Sequence, residues 1–486
     1  MRKFIEKFTV LKTAPRELWA TYAAYMLEIV AYGVMNSTLV LWLSADLGMS
    51  DVKAGSMIAI WSTVMSVSLM LSGSFADAIG IRSTFMIGFG ICLACRFLLA
   101  FVTVKWLVIP FGLFLMAVGL SMTSPVMNAA VRRFSSTPQR SIAFSLYYAI
   151  MNLGFAIAGW MLDFIRGRIG EHGVYIMPVL NIPMSAYRMI FLWAAVVTIP
   201  AMLILFFLRN GVEATDEGVV IAPPETERPQ EQDAASALAG RARAAAANTF
   251  RILADVWKQP AFHKFLVFLS LVVGVKLIYY HLCYTFPKYC LRELGDGAPV
   301  GRLFWVINPV CVIILVPIVG ALTQKIAAYK MVIFGSLISA LSVFFMAMPP
   351  EWFHAAAQGW LGHLIAKTWL NMPGDIVNPL YIAIPLAMVV YSIGEAFWSP
   401  RLYEYTAAIA PKGQEASYMA LSTLPFFAAK FFVGMMSGAM LAKYCPATGP
   451  RNSEMLWLMV GAMALITPFG LLALRKKIQV HESGRQ

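Results

Sequence analysis

The sequence predicts an all-α integral membrane protein whose helices form two six-helix lobes. Hydrophobic residues make up 59% and charged residues 13% of the 486 positions, whereas a soluble domain carries roughly 25% charged residues. About twelve apolar runs have the length of roughly 20 residues that a bilayer-spanning helix requires. A hydrophilic segment separates the first six runs from the last six, which is the organisation of a two-lobed transporter whose halves are related by a pseudo-two-fold axis.

The predicted spans divide evenly between the two halves. The first six cover residues 18–43, 54–75, 83–104, 106–131, 142–164 and 189–208. The last six cover residues 265–284, 303–323, 331–348, 380–403, 417–441 and 456–474. We therefore predict an N-terminal lobe over residues 1–208, a linker over 209–264 and a C-terminal lobe with its tail over 265–486.

The basic residues indicate topology. The formal net charge is +13, but Lys and Arg cluster in the short connections between apolar runs, where the positive-inside rule places them on the cytoplasmic side. The N-terminal stretch is basic and has no cleavable-signal pattern. We predict that both termini are cytoplasmic, that the chain lies in the inner or plasma membrane of the cell, and that nucleic acid is not a partner.

The linker changes character along its length. Residues 213–233 are acidic and rich in proline, a composition typical of disorder. The following Ala-rich part contains Arg241, Arg243, Arg251 and Lys258, which favours an amphipathic helix on the inner membrane surface. We expect the whole segment to tether the two lobes on the cytoplasmic side.

Two outer loops, residues 165–188 and 349–378, are longer than the other connections. The second contains Trp352, Trp360 and Trp369. Tryptophan is enriched at membrane interfaces, so these indoles favour an interfacial belt over an aqueous domain.

The turn between the second and third spans carries the most specific motif. Gly73 and Gly80 allow close helix approach and a sharp turn, Asp77 can accept hydrogen bonds near the start of the next helix, and Arg82 adds a cytoplasmic charge. The motif resembles the loop of the major facilitator superfamily, in which the acidic residue latches the two lobes in one state. An ordinary capped turn is the alternative explanation.

Three further stretches resemble the proton-dependent oligopeptide transporter family within that superfamily. They are residues 144–154 in span five, 308–317 in span eight and 394–400 in span ten. The resemblance implies that Asn152, Asn308 and Glu395 line a central pocket, with the glutamate facing the amino end of a peptide. We include Tyr148 in the expected substrate site.

The sequence departs from that family in its charged residues. Span one retains only Glu28 where the family has an E-x-x-E-R pattern, and Ser124 stands where a lysine is expected. Span seven lacks a carboxylate and contains Lys276 instead. At least half of the family's proton relay is missing, so the resemblance supports a transporter more strongly than it supports peptides as substrates.

Glu395 is the carboxylate on which the functional hypothesis depends. It lies inside the apolar run 382–398, and a charge in a bilayer-length segment costs several kcal/mol unless it faces a partner or a wet cavity. We therefore expect Glu395 to serve a function. The alternative is that the span ends early and Glu395 lies among the lipid headgroups.

Two lysines lie about half a span from either membrane surface. Lys276 and Lys430 are too deep for easy snorkelling, so we expect each to pair with Glu28, with Glu395 or with an anionic substrate. Arg96 is expected to be structural.

Together these features predict a secondary active transporter of a small polar solute, peptide-like or carboxylate-bearing, that works by alternating access. A proton on Glu395 or Glu28 would supply the energy. We expect a monomer in the lipid bilayer with a small-molecule substrate, no cofactor and no metal, and no enzymatic activity, since no nucleophile, base or metal set recurs at catalytic spacing. The alternatives are a uniporter or antiporter of a non-peptide solute, or a sensor of the same fold that transports nothing.

Overall fold

The structure, a computed structural model, describes residues 9–178, 181–209, 211–221, 257–409 and 424–478. Within its helices, the side chains of several residues, including those of Asp77 and Ser124, lie outside the description. In the described part of the chain, twelve helices are long and apolar enough to cross a membrane. The predicted all-α class and the predicted number of spans are confirmed.

The spanning helices follow the hydropathy pattern closely. In chain order they are α1 (Arg16–Ala45), α2 (Asp51–Ile79), α3 (Ile81–Phe101), α4 (Leu115–Arg133), α5 (Thr137–Ile169), α6 (Ala186–Phe206), α7 (Pro260–Tyr284), α8 (Ile307–Leu322), α9 (Ala328–Val343), α10 (Leu380–Ile409), α11 (Leu424–Tyr444) and α12 (Ser453–Ala464, continued by Ile466–Ala473). Short helical turns precede α4 and α8, and both include π-helical segments, Val108–Phe114 and Gly301–Val306. The first residues predicted for span eleven, 417–423, lie outside the described residues.

The longer outer loops contain short regular elements. The first holds an antiparallel pair, β1 (Val174–Ile176) and β2 (Pro183–Ser185). The second consists of short helical turns between Pro350 and Trp369. Trp352 and Trp360 are 71% and 78% exposed, which is compatible with indoles that meet a membrane interface.

The beginning of the linker corrects one expectation. Residues 212–221 form a β-hairpin, β3 (Val212–Thr215) and β4 (Gly218–Ile221), where we expected disorder from residue 213 onward. Two short β-prone runs flank a turn that ends at Gly218, whose φ of 137° favours glycine. The acidic composition concealed this local pattern. The remaining linker residues 222–256, including most of the predicted amphipathic helix, lie outside the described residues.

The chain forms two compact units. The first compact unit comprises Met1–Met35, Val64–Phe155 and Arg188–Ile252, and the second comprises Asn36–Thr63, Ala156–Tyr187 and Leu253–Gln486. Helices α1, α2 and α5 therefore contribute to both units. Each unit has its own apolar core, with Phe85 and Phe89 fully buried in the first and Trp398 and Trp457 in the second. The predicted lobe boundaries describe the repeat in the sequence, and they remain a prediction.

Candidate functional site

Glu395 and Asn308 form the centre of the candidate site in the second compact unit. The Asn308 amide Nδ2 donates to Glu395 Oε2 at 2.8 Å and to Ser392 Oγ at 3.1 Å. Asn308 and Ser392 are buried and Glu395 is partly buried. Glu395 lies in the middle of α10, and this hydrogen-bonded contact with α8 favours an intramembrane position over the headgroup position.

Local sequence features set this geometry on the α8 side. The helix α8 begins at Ile307, directly after the π-helical turn Gly301–Val306. Pro309 follows in the first turn of α8, where it has no N–H to donate to a carbonyl oxygen of the preceding π-helical turn. Such changes of helix type often occur at functional positions, and here the change immediately precedes Asn308.

On the other side, small residues bring α10 close to α9. A Cβ atom at Gly394 would meet Ser339 and the Gly335 carbonyl oxygen, so only glycine permits this approach. Trp398 Nε1 donates to Ser339 Oγ at 3.1 Å. With Gly394 facing α9, the next residue along α10, Glu395, is directed to Asn308 of α8.

The two intramembrane lysines lie against aromatic rings. The ammonium nitrogen of Lys276 is 4.8 Å from the centroid of the Trp398 ring, and that of Lys430 is 5.7 Å from the Tyr280 ring. Such cation–π contacts stabilise an ammonium group without neutralising it. Among the described residues neither lysine forms a direct ion pair with Glu28 or Glu395, although Lys276 is close enough to attract the Glu395 carboxylate. An anionic substrate is the expected partner that remains.

Glu28 instead pairs with Arg96 in the first compact unit. The guanidinium donates from Nη2 to Glu28 Oε1 at 2.8 Å and from Nη1 to Glu28 Oε2 at 3.0 Å, and it also donates to the Thr198 hydroxyl. Arg96 is 0% and Glu28 3% exposed. This bidentate pair agrees with the structural role expected of Arg96, and it explains why neither lysine needs to neutralise Glu28.

Asn152 and Tyr148 belong to the first compact unit, together with Glu28. The Asn152 amide Nδ2 donates to the Tyr148 carbonyl oxygen at 2.9 Å, one helical turn earlier in α5. The seven expected site residues thus divide between the units: Glu395, Asn308, Lys276 and Lys430 in the second, and Asn152, Tyr148 and Glu28 in the first. The structure brings Glu395 and Asn308 into direct contact.

The predicted latch motif is described in part. Gly80 separates α2 from α3 with a φ of 86°, a left-handed conformation that favours glycine, so the sharp turn is observed. The Arg82 guanidinium lies 5.2 Å from the Phe206 ring centroid. The surroundings of Gly73 and the side chain of Asp77 lie outside the described part of the chain, and the latch remains a prediction.

Sequence reasoning missed a charge network at the end of α7. Asp51 accepts from Lys288 Nζ at 2.8 Å and from Arg292 Nη2 at 2.8 Å. Burial lowers the pKa of Lys288, and the Asp51 carboxylate opposes this shift. These charges lie at or beyond the ends of predicted spans, where hydropathy suggests only ordinary interfacial residues.

A second missed network joins α5 to the start of the eighth span. The Asp163 carboxylate accepts from the backbone N–H groups of Gly301 and Arg302 at 2.8 and 2.7 Å. Arg166 donates to Glu171 Oε2 at 2.5 Å and to the Ala298 carbonyl oxygen at 3.0 Å. Only the packing of distant helices reveals these partners. Within the described residues, no group of three or more His, Cys, Asp or Glu side chains could hold a metal ion.

Comparisons with known proteins agree with this architecture. The sequence model of the Major Facilitator Superfamily matches residues 21–424. No curated protein sequence matches the chain significantly.

Among solved structures, the chain is similar to a POT family transporter in complex with 5-aminolevulinic acid (TM-score 0.70, 16% identity, covering 96% of this chain and 97% of that one). It is also similar to a POT family transporter in complex with a thioalcohol-conjugated peptide (TM-score 0.69, 15% identity, 97% and 100%). A third is a peptide transporter POT in complex with sulfate (TM-score 0.68, 17% identity, 97% and 98%). At these identities the similarity establishes the fold.

Proposed function

Since the chain belongs to the Major Facilitator Superfamily, a family of secondary transporters rather than enzymes, we propose that it couples proton movement to the transport of a small carboxylate-bearing solute. Glu395 binds the proton. Lys276 and Lys430 bind the carboxylate, and peptide-like molecules are the favoured substrates. Alternating access moves the occupied site from one side of the membrane to the other.

One observation carries the proposal: the carboxylate of Glu395 accepts from a neutral donor, Asn308, and forms no salt bridge with a described residue. Protonation of such a carboxylate removes a charge from a low-dielectric environment without leaving a cation unpaired. The second carboxylate oxygen remains able to accept the Asn308 amide. Glu395 can therefore change its charge while its position is maintained.

The lysines support a carboxylate as the substrate group. Lys276 and Lys430 lie partly buried against aromatic rings and form no ion pair with a described residue. A buried ammonium group without a counter-ion is costly, so an anionic ligand group would be bound favourably. Two of the similar structures hold 5-aminolevulinic acid and a peptide conjugate, and the first of these ligands carries both an amino group and a carboxylate.

Coupling then requires that protonation and substrate binding stabilise the same state. A substrate carboxylate near the lysines reduces the positive potential that keeps Glu395 ionised, so substrate binding favours protonation of Glu395. Reciprocity makes protonation favour substrate binding by the same factor. Release of both on the far side resets the site.

The test is uptake into proteoliposomes that contain the purified full-length protein. We expect accumulation of a dipeptide or amino-carboxylate solute when the outside is acidic, and only equilibration when the gradient is collapsed by an ionophore. The matched panel contains the same solutes with the carboxylate amidated, which should be transported poorly. Equal transport of amidated and free forms would contradict the substrate class, and accumulation that ignores the gradient would contradict proton coupling.

We further propose that a single chain in the cell membrane is the functional unit, with both termini and the linker in the cytoplasm. The placement of Arg132, Arg133, Arg140, Lys325 and Lys330 between spans supports this topology. The check uses Ser236→Cys as the only thiol in a cysteine-free background. An impermeant thiol reagent should not label this cysteine in whole cells. Labelling before lysis would contradict the cytoplasmic location of the linker.

A further inference from the structure

An arginine-lined cavity lies in the first compact unit, whereas Glu395, Lys276 and Lys430 belong to the second. It has a volume of about 730 Å³ and lies between the end of α4, the start of α5 and the hairpin β3–β4. Its lining includes Arg132, Arg133, Arg140, Asn128 and Glu213. We call it the arginine cavity, defined by its three arginines.

The hairpin forms one wall of the arginine cavity through specific bonds. Arg133 Nε donates to the Val212 carbonyl oxygen at 3.1 Å. Asp216 Oδ1 accepts from the backbone N–H of Thr137 at 2.8 Å and so caps the N-terminus of α5. The cavity is therefore a built feature in which three separate elements meet.

Three arginines line the arginine cavity. In the part of the chain that the structure describes, Arg132, Arg133 and Arg140 form no ion pair. Arg140 Nε is buried and has no hydrogen-bond partner there. A buried donor without a partner costs free energy, and an anion that accepted a hydrogen bond from it would recover this cost.

The location of Arg140 strengthens the case for an anion. It lies in the first turn of the 33-residue helix α5, where the helix dipole disfavours a cation and favours a negative charge. A bound anion would neutralise the guanidinium and interact favourably with the helix end. Arg132 and Arg133, in the last turn of α4, extend the positive surface over the same cavity.

We propose that the arginine cavity is a binding site for a phosphate group. Guanidinium groups donate paired hydrogen bonds that match phosphate oxygens, and three of them can surround a tetrahedral anion better than a planar carboxylate. The cavity is large enough for a phosphate ester. The ligand is an anionic phospholipid headgroup or a soluble phosphate. The predicted cytoplasmic location fits the first source, because basic pockets on that side of transmembrane helices bind lipid headgroups.

The test measures thermal unfolding of the full-length protein in phosphatidylcholine nanodiscs. One arm adds phosphatidic acid to the bilayer, and the other adds inorganic phosphate to the buffer with sodium chloride at equal ionic strength as its control. A ligand that binds the folded state raises the midpoint temperature in a concentration-dependent way. Stabilisation by phosphatidic acid alone assigns the site to lipid, and stabilisation by inorganic phosphate assigns it to a soluble ligand.

Substitutions of the lining residues test whether the stabilisation arises from binding in the arginine cavity. Arg132→Gln and Arg140→Gln should each weaken the apparent affinity about tenfold, the typical loss for a charge-assisted hydrogen bond. Glu213→Gln removes a competing carboxylate from the lining and should strengthen binding by about threefold. Arg168→Gln is the matched control, because Arg168 is an exposed arginine near the opposite end of α5, and it should have no effect.

The proposal is overturned if neither arm stabilises the protein, or if the three cavity variants respond like the unmodified chain and the control. The opposite signs expected for Arg140→Gln and Glu213→Gln distinguish binding in the arginine cavity from a general loss of stability. These measurements do not involve transport, so they are independent of the proposed substrate site.

Discussion

Two glutamates inside predicted spans, Glu28 in the first compact unit and Glu395 in the second, differ in their partners. Glu28 is nearly fully buried and receives two hydrogen bonds from the Arg96 guanidinium. Glu395 is partly buried and receives one from the Asn308 amide. Both residues avoid an isolated charge in the membrane, but one does so with a cation and the other with a neutral amide.

This difference bears on which of the two carboxylates can change its charge at the lower cost. Protonation of Glu28 would leave Arg96 as an unpaired buried cation, and breaking a buried ion pair costs about 3–5 kcal/mol. Protonation of Glu395 breaks no ion pair, because Glu395 forms none with a described residue. The comparison therefore favours Glu395 over Glu28 as the proton-binding residue, although the sequence alone proposed both.

The largest expected effect is the loss of coupling in Glu395→Gln. Glutamine retains the shape and the hydrogen-bond acceptor of a protonated glutamate, so the variant should fold and exchange substrate across vesicles. Accumulation driven by a proton gradient should disappear, because no titratable charge remains. Counterflow and gradient-driven uptake, measured on the same vesicles, check the two halves of this prediction.

The matched control replaces both members of the other pair, as Glu28→Gln with Arg96→Gln. This double variant should retain gradient-driven accumulation wherever it folds. If Glu395→Gln still concentrates substrate at the rate of the unmodified protein, the proton-binding role passes from Glu395 to another residue or to none.

The second effect concerns stability. Arg96→Leu leaves Glu28 as a buried charge without its counter-ion and should lower the free energy of unfolding by about 3–5 kcal/mol. Adding Glu28→Leu should recover most of this loss, since an apolar pair can replace a buried ion pair. Thermal unfolding of the single and double variants in detergent measures the coupling. If the single variant and the double variant are destabilised equally, the pair contributes to stability through packing instead.

The third effect concerns substrate binding by the two intramembrane lysines. Lys276→Met and Lys430→Met should each raise the KM for a carboxylate-bearing substrate about tenfold, the loss typical of one charge-assisted contact. Lys443→Met is the control on the same helix as Lys430, because Lys443 is exposed and also lies over an aromatic ring, 5.1 Å from the Tyr444 centroid. An unchanged KM in both site variants would exclude the lysines from carboxylate binding.

The smallest effect is expected at Ser392. Its hydroxyl accepts the second hydrogen bond of the Asn308 amide at 3.1 Å, so Ser392→Ala should loosen Asn308 without changing any charge. We expect a loss of about 1 kcal/mol in unfolding free energy and retained proton coupling. A variant that loses coupling as completely as Glu395→Gln would show that the orientation of Asn308, rather than the charge of Glu395, controls the proton.

The sequence alone was sufficient for the spans, and it selected Glu395 and Asn308, which the structure brings into contact. It failed where a partner had to be chosen: it suggested Lys276 or Lys430 for Glu28, and the structure pairs Glu28 with Arg96. Several candidate cations lie at comparable depth in the sequence, and periodicity does not say which helices are neighbours. The same limit concealed the contact of Asp163 with the backbone at Gly301.

By itself, the sequence determined the properties that depend on local composition. Hydrophobic length sets each span, because a bilayer requires every backbone group to be hydrogen-bonded within its own helix. Gly80 sets a turn because few other residues adopt its backbone angles. Tertiary structure alone decided which charges form ion pairs, as Glu28 does with Arg96, and which have no ion-pair partner among the described residues, as is the case for Lys276 and Arg140. Electrostatic energy depends on distances between helices far apart in the chain, and only their packing defines those distances.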